Sequence, residues 1–215
     1  MSRPRSLLCR AAGLLEAQPL ATDKATSVAF DALLDIGGTI DYRIERPKHE
    51  FLRYATERRD LLLHGSPRPG IEEFAPREQT DFRQRLVTAV FATSDGIWPL
   101  FFAVIRRAKG ESIVNTCIQV RETRGLRCFY YFSTSTDPRA RDSWAPGFVY
   151  VFAKDGFRKH PRGPEWTCAA PVRPVAVLPV TPNDFPFRHA VRRHRAGESA
   201  ARHILRSVLR RPALA

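Results

Sequence analysis

The chain has 215 residues, of which 43% are hydrophobic, and a formal net charge of +13. This length suffices for one well-buried domain with extensions and is short for two full domains. No apolar run reaches the about eighteen residues that a membrane-spanning helix needs, so the sequence predicts no such helix.

The N-terminal part of the chain, residues 1–45, is predicted to be an extension that begins with a short helix over 7–17. Arg10 and Glu16 interrupt the apolar part of that helix, which makes it a poor secretory signal. We therefore expect a cytoplasmic protein.

Local sequence patterns predict the structure of the rest of the extension and of the segment after it. Residues 21–27 are predicted to be a polar link, and Gly37-Gly38 is typical of a tight turn. Over 47–59, apolar positions among charged ones predict a helix, and Pro47 suits its first turn.

The central body alternates strands with few helices, and its candidate strands are rich in β-branched and aromatic residues. These strands cover 61–64, 87–93, 112–120, 128–133, 147–153 and 172–180. The regular strand and helix alternation of a parallel sheet is missing, so the sequence predicts an α+β fold with antiparallel sheets in a domain spanning 46–185.

The four cysteines form no Cys-x-x-Cys pair, and nothing in the sequence indicates an oxidising compartment. We expect reduced and mostly buried thiols. A zinc site built from Cys117, Cys128, His160 and Cys168 is compatible with the residue types. Their spacing matches no usual ligand framework, so no metal site is predicted.

The C-terminal segment, residues 186–215, has eight arginines against one glutamate and a net charge of +7. Apolar residues recur there at helical spacing, and arginines lie on a different face. We predict a basic amphipathic helix that is solvated and packed by one apolar stripe, with a dedicated element that contacts a polyanion as the alternative. Truncation after Phe187 is then expected to leave folding unchanged.

The strand over 61–64 ends in the sequence His64-Gly65-Ser66. An apolar run bounded by Gly and Pro predicts a buried strand, which delivers His64 at its end. Gly65 is expected to leave its backbone open to a ligand. A strand end of this kind is typical of a binding cleft.

A second run over 90–95, with the sequence VFATSD, leads into an apolar stretch over 97–105 that is predicted to be helical. Together with His64-Gly65-Ser66, this run resembles the nicotinamide-binding core of the ADP-ribosyltransferase fold. The resemblance implies an NAD-dependent transferase.

The second half of the body extends the resemblance over 61–180. Residues 148–152 read FVYVF, and residues 165–174 read EWTCAAPVRP. This order resembles small bacterial transferases related to rifampin ADP-ribosyltransferase. It implies split antiparallel β-sheets around an NAD-binding cleft, with flanking N- and C-terminal helices.

The resemblance also assigns roles to the residues that match these motifs. His64 would hydrogen-bond a ribose hydroxyl, Gly65 would contact the nicotinamide amide through its backbone, and Ser66 would support one of them. Phe91 stands where many relatives place a tyrosine that stacks on nicotinamide, so stacking is retained and the hydroxyl is lost. Two further hydroxyls, those of Thr93 and Ser94, would contact ribose or phosphate.

The remaining role is that of a carboxylate that stabilises positive charge or orients the acceptor. Cleavage of the nicotinamide–ribose bond passes through an oxocarbenium-like transition state, which a nearby carboxylate stabilises. Glu165 is the first candidate for this carboxylate, and Asp155 is the second. A solvated loop carboxylate is the alternative for Glu165.

Three functions remain open on these residues. The first is transfer of ADP-ribose from NAD to an acceptor that is a small molecule, a protein or a nucleic acid. The second is an RNA 2′-phosphotransferase, which a basic surface would suit. The third is a noncatalytic interaction module on the same fold, which the phenylalanine at position 91 favours.

Overall fold

The computed structural model describes residues 5–80, 85–107, 110–122, 125–161 and 163–195. The chain divides into two compact units. Unit 1 comprises Met1–Pro19, Arg106–Trp144 and Phe187–Ala215, and unit 2 comprises Leu20–Ile105 and Ala145–Pro186. The range 46–185 therefore contributes to both units.

Helices and strands both contribute to the described structure, which confirms the α+β class. The helices are α1 Arg5–Ala11, α2 Lys24–Ile36, α3 Lys48–Glu57 and α4 Trp98–Val104. The strands are β1 Leu15–Glu16, β2 Gly38–Thr39, β3 Leu62–Ser66, β4 Arg77–Thr80, β5 Leu86–Thr93, β6 Ile113–Glu122, β7 Gly125–Thr134, β8 Gly147–Phe152, β9 Arg158–Lys159, β10 Glu165–Cys168, β11 Ala176–Val180 and β12 Arg192–Arg193. None of the described helices is long and apolar enough to cross a membrane.

The N-terminal elements differ from the prediction in two places. Helix α1 ends at Ala11 because Gly13 adopts a positive φ of 72°, a common way for a helix to stop. The predicted polar link is wrong, since most of it belongs to α2. Asp23 caps that helix by accepting the Thr26 backbone N–H at 2.7 Å.

The sheet of unit 2 has the strand order β2-β11-β8-β3-β5-β10-β9, and β4 also pairs with β5. Its strand pairs are antiparallel except β2 with β11, which run parallel. The all-antiparallel expectation is wrong for that pair. A parallel pair needs a long connection, and the chain between β2 and β11 supplies one.

The two faces of the unit 2 sheet are covered differently. Partners across antiparallel strands project from the same face, so Leu63, Thr93 and Glu165 share one face, together with Gly65. Helices α3 and α4 pack against β3, and α4 meets Gly65, so we call this the helix face. The other face, called the aromatic face, carries an apolar cluster that includes Leu62, Ala92, Tyr150, Phe152 and Trp166.

The sheet of unit 1 is built around β7. Strand β6 pairs antiparallel along all of β7, while β1 and β12 pair with β7 on its other side. Strand β12 runs parallel to β7, so the antiparallel expectation is wrong for this pair as well. Consecutive aromatic residues of β7, from Phe129 to Phe132, are buried on both faces of the sheet.

The described part of the C-terminal segment is not helical in the predicted way. It contains a 3-10 turn at Arg188–Ala190 and then β12. His194 follows and is buried, with its ring nitrogens 2.9 Å from Ser112 Oγ and 3.0 Å from Ser133 Oγ. The predicted amphipathic helix falls mainly on residues 196–215, which lie outside the described residues.

We expect a chain that ends after Phe187 to lose about 2 kcal/mol of unfolding free energy, because Val191 and His194 leave the core and two serine hydroxyls lose their partner. This replaces the expectation that such a truncation has no effect on folding. Urea unfolding followed by circular dichroism measures the loss. A chain that ends after Arg195 is the control because it keeps β12 and His194, and equal stabilities of the two shortened chains would refute the role of these elements.

Candidate functional site

The three motif strands of the sequence lie side by side in unit 2. Leu63 of β3 pairs with Thr93 of β5, and the same Thr93 pairs with Glu165 of β10. The segments that carry His64, Phe91 and Glu165 are therefore neighbours in one sheet. The order of the motifs along the sequence does not by itself dictate this adjacency.

His64 is partly buried on the aromatic face. Its Nδ1 lies 2.7 Å from the Phe91 carbonyl oxygen, and its ring meets the Phe74 ring edge-on with centroids 4.9 Å apart. Burial lowers the pKa of His64 below its usual value, although the hydrogen bond to the Phe91 carbonyl opposes this shift. Burial therefore favours the neutral imidazole.

The neutral ring fixes the roles of its two nitrogens. A carbonyl oxygen only accepts, so Nδ1 carries the proton and donates it to Phe91. Nε2 is then the acceptor, and it makes no hydrogen bond to any residue in the described part of the chain. His64 thus offers one oriented acceptor on the aromatic face.

The segment that follows β3 passes over this face. Tyr150 Oη donates to the Arg68 carbonyl at 2.7 Å and accepts the Ile71 backbone N–H at 3.2 Å. Phe74 forms a bridge with Val172, and its ring contacts those of Tyr150 and Phe152. The side chain of His64 therefore lies beside the ring of Phe74. The Tyr150 hydroxyl holds the backbone of the covering segment in place.

Gly65 serves a packing role on the helix face. A Cβ at this position would lie 1.9 Å from the Pro99 carbonyl oxygen and 3.0 Å from the Ala103 nitrogen. The expectation that the Gly65 backbone is open to a ligand is wrong on this side, because α4 occupies the space. The close approach of the helix explains the glycine.

The predicted cofactor-binding hydroxyls bond within local turns. Ser66 Oγ accepts the Arg68 backbone N–H at 3.1 Å, and Thr93 Oγ1 accepts the Asp95 backbone N–H at 3.2 Å. The hydroxyl and the backbone N–H of Ser94 donate to the Pro164 carbonyl at 3.4 and 2.9 Å. These contacts shape the loops at the strand ends.

His64 and Glu165 project from opposite faces of the sheet. Glu165 shares the helix face with Thr93 and Leu63, and His64 follows Leu63 directly, so it points the other way. The side chain of Phe91 is two residues from Thr93 and also lies on the helix face. The structure brings the strands of the predicted site together but separates His64 from its expected acid and its expected stacking residue.

No family model matches the chain, and no match was found among curated proteins or solved structures.

Trp166 is a residue on the aromatic face that the sequence reasoning left without a role. It follows Glu165 and pairs with Ala92, so it projects from the same face as His64. Its Nε1 is buried and has no hydrogen-bond partner among the described residues. Lys154 Nζ and Lys159 Nζ lie 4.6 and 5.9 Å from the centre of its ring. The alternation along β10 is the signal that could have identified it.

The second carboxylate candidate, Asp155, lies at the start of the turn between β8 and β9. It is exposed and precedes Gly156, which has a positive φ of 78°. The adjacent Lys154 forms an ion pair with Asp60 at 2.6 Å. In the sequence, Asp155 directly follows the lysine that contacts Trp166. It lies in the connection between β8 and β9, whereas Glu165 is the first residue of β10.

Asp95 is a buried carboxylate that organises the end of β5. Its Oδ1 accepts the backbone N–H groups of Ile97 at 2.9 Å and Trp98 at 2.7 Å. These bonds satisfy donors at the start of α4, where a helix lacks internal partners. Asp95 therefore fixes the helix that packs on Gly65.

Proposed function

We propose that this chain binds NAD on the aromatic face of unit 2, at the end of β3, and transfers its ADP-ribose to an acceptor. The observation that carries the proposal is the neutral His64 with its Nε2 acceptor on the strand that neighbours β5. A hydroxyl of a ribose is a donor that this nitrogen can bind. The resemblance of the His64 and Thr93 strands to the nicotinamide-binding core supports the same assignment.

The aromatic face supplies further groups that suit a dinucleotide. Phe74 is partly buried and provides apolar surface beside His64. The buried Nε1 of Trp166 is a donor without a partner in the described residues. Lys159, which lies close to Trp166, offers positive charge for phosphate, whereas Lys154 is paired with Asp60. Bound NAD would supply the ADP-ribosyl group, and His64 would orient its ribose.

The predicted site residues on the helix face do not lie beside His64. Gly65 contacts α4, and Phe91 and Glu165 project away from His64. The nicotinamide contacts first assigned to Gly65 and Phe91 therefore do not join His64 on one surface. Glu165 faces away from the ribose that His64 would bind, because it lies on the helix face.

A noncatalytic dinucleotide-binding module is the second candidate function. The observation that favours it is the separation of His64 from Glu165 by the thickness of the sheet. An acid that assists cleavage has to lie beside the breaking bond in the transition state. Binding without turnover is the expected behaviour of such a module.

Two substitutions of His64 test the binding site. His64→Asn keeps a donor near the position of Nδ1, so the bond to Phe91 survives, but it removes Nε2. His64→Gln keeps a polar atom near the position of Nε2. We expect NAD to raise the melting temperature of the wild-type protein and of His64→Gln, and to leave that of His64→Asn unchanged, because only ligands of the folded state stabilise it.

Calorimetric titration with NAD provides the independent readout for these variants. Equal NAD affinity in the wild type and His64→Asn would place the ligand elsewhere, and the absence of any heat for the wild type would remove NAD from the proposal. His64→Asn should unfold at the wild-type temperature without NAD, which shows that the fold is intact.

A nicotinamide-release assay then separates the two candidate functions. The enzyme releases nicotinamide, and the noncatalytic module binds NAD without releasing it. Glu165→Gln and Asp155→Asn should keep NAD affinity, and the one that lowers turnover identifies the acid, since it removes an interaction made chiefly in the transition state. Unchanged turnover in both variants would exclude both carboxylates.

A further inference from the structure

The positive charge of the described residues is concentrated in unit 1. This unit contains twelve described arginines, no described lysine and five acidic residues. Unit 2 contains fourteen described basic residues and fifteen acidic ones, so it is close to neutral. A net basic surface is therefore a property of unit 1 and not of the unit that carries His64.

Most of these arginines gather at one end of the unit 1 sheet, where β7 finishes at Thr134. The loop over 135–144 carries Arg139 and Arg141. The Arg106 backbone N–H donates to the Ser143 carbonyl at 3.0 Å, which brings Arg106 and Arg107 to the same loop. We call this region, including residues 188–195, the arginine end.

The segment 188–195 adds four more arginines to this end. Strand β12 pairs with Ser133 and Thr134, so Arg192 and Arg193 lie next to the last residues of β7. The Arg188 guanidinium lies 5.7 Å from the centre of the Trp144 ring, and Trp144 Nε1 donates to the Pro138 carbonyl at 2.8 Å. Trp144 thus ties Arg188 to the loop.

Several of these side chains have no acidic partner. Arg139, Arg141 and Arg193 are exposed, and none of them lies within 4.0 Å of a carboxylate in the described residues. At the other end of the unit 1 sheet the arginines do have an acidic partner, since Arg10 and Arg127 both pair with Glu16. The acids near the arginine end, Glu111, Asp137 and Asp142, are outnumbered by its arginines.

We propose that the arginine end binds the phosphate backbone of a nucleic acid strand. Guanidinium groups bind phosphate in bidentate fashion, and unpaired ones lose no ion pair on binding. The site is independent of the NAD proposal, since it lies wholly in unit 1.

An anionic membrane surface would also attract the arginines of this end. The distribution of exposed apolar side chains in the described part of unit 1 argues against a membrane as the partner. Among the described residues of unit 1, the exposed large apolar side chains are Leu7, Leu8, Ile118 and Leu126. They lie in α1, in the middle of β6 and at the β6–β7 turn, away from the arginine end. Stable binding to a bilayer surface needs apolar insertion beside the positive charge.

Fluorescence anisotropy of the full chain with labelled single-stranded RNA and DNA tests the proposal. A triple variant, Arg139→Gln with Arg141→Gln and Arg193→Gln, removes three unpaired guanidinium groups of the arginine end. A matched triple variant of Arg58, Arg68 and Arg158 to Gln removes the same charge from exposed positions of unit 2.

We expect the first triple variant to bind about tenfold more weakly and to lower the slope of log affinity against log salt by about two, since each lost phosphate contact contributes roughly 0.7 for a single strand. The unit 2 triple should bind like the wild type. Circular dichroism shows that both variants remain folded.

The opposite outcomes overturn the proposal. Equal affinities of the wild type and both triple variants would show that nucleic acid binds elsewhere in the chain. Equal losses of affinity in both triple variants would show that binding depends only on net charge. Absence of nucleic acid binding at low salt, or binding to phosphatidylglycerol vesicles in place of nucleic acid, would also refute it. Unequal affinity for RNA and DNA of the same sequence identifies which strand the site prefers.

Discussion

Replacing Gly65 with alanine should lower the unfolding free energy by about 3 kcal/mol and the melting temperature by roughly 6–12 °C. The new Cβ would lie 1.9 Å from the Pro99 carbonyl oxygen, so α4 has to move away from β3. The obstructing atoms belong to the backbone of a helix and cannot rotate aside. Gly147→Ala should behave alike, because its Cβ would lie 1.9 Å from the Ala103 carbonyl oxygen.

Gly70→Ala is the control for these two variants. Gly70 has a positive φ of 64° and no atom within 4 Å of the position of its Cβ, so alanine costs only backbone strain of about 1 kcal/mol. Thermal and urea unfolding measure all three proteins. A Gly65→Ala protein no less stable than Gly70→Ala would show that α4 does not approach β3 as described.

Replacing Asp95 with alanine should cost about 3 kcal/mol of unfolding free energy. The substitution leaves the backbone N–H groups of Ile97 and Trp98 without their acceptor at a buried position. Loss of this cap also loosens the start of α4, which packs on Gly65. Urea unfolding followed by tryptophan fluorescence measures the change, since Trp98 lies in the affected turn.

Asp95→Asn separates the hydrogen bonds from the charge. Asparagine keeps an oxygen at the position of Oδ1, so it should retain most of the stability that alanine loses. Loss of the same free energy in both variants would assign the effect to the negative charge and not to the two bonds. Wild-type stability in Asp95→Ala would contradict the capping role.

The sequence predicted the longer strands well because their residues have a strong preference for strands. The predicted ranges 87–93, 128–133 and 147–153 agree with β5, β7 and β8 to within a few residues. Helix α2 was missed because its first turn is polar, although the cap at Asp23 was visible in the sequence. The exposed strand β4 has no apolar alternation, and only its pairing with β5 defines it.

The candidate site was predictable only in part. The motifs correctly pointed to segments that are neighbours in one sheet, but they did not predict which face each side chain occupies. A shift of register by one residue moves a side chain to the opposite face. The positions of His64 and Glu165 therefore depended on the pairing of Leu63 with Thr93 and of Thr93 with Glu165, which no local pattern encodes.

The path of the chain through unit 1 has a consequence for protein synthesis. Strand β1 pairs with Tyr130 and Phe129, and β12 pairs with Ser133 and Thr134, so the sheet joins segments that the ribosome makes at well-separated times. The β6–β7 hairpin is local and can form as soon as it is translated, whereas β12 must arrive later. Until then the part of this β7 edge at Ser133 and Thr134 stays open, and the rate of translation sets how long a nascent chain exposes it to other unfolded chains.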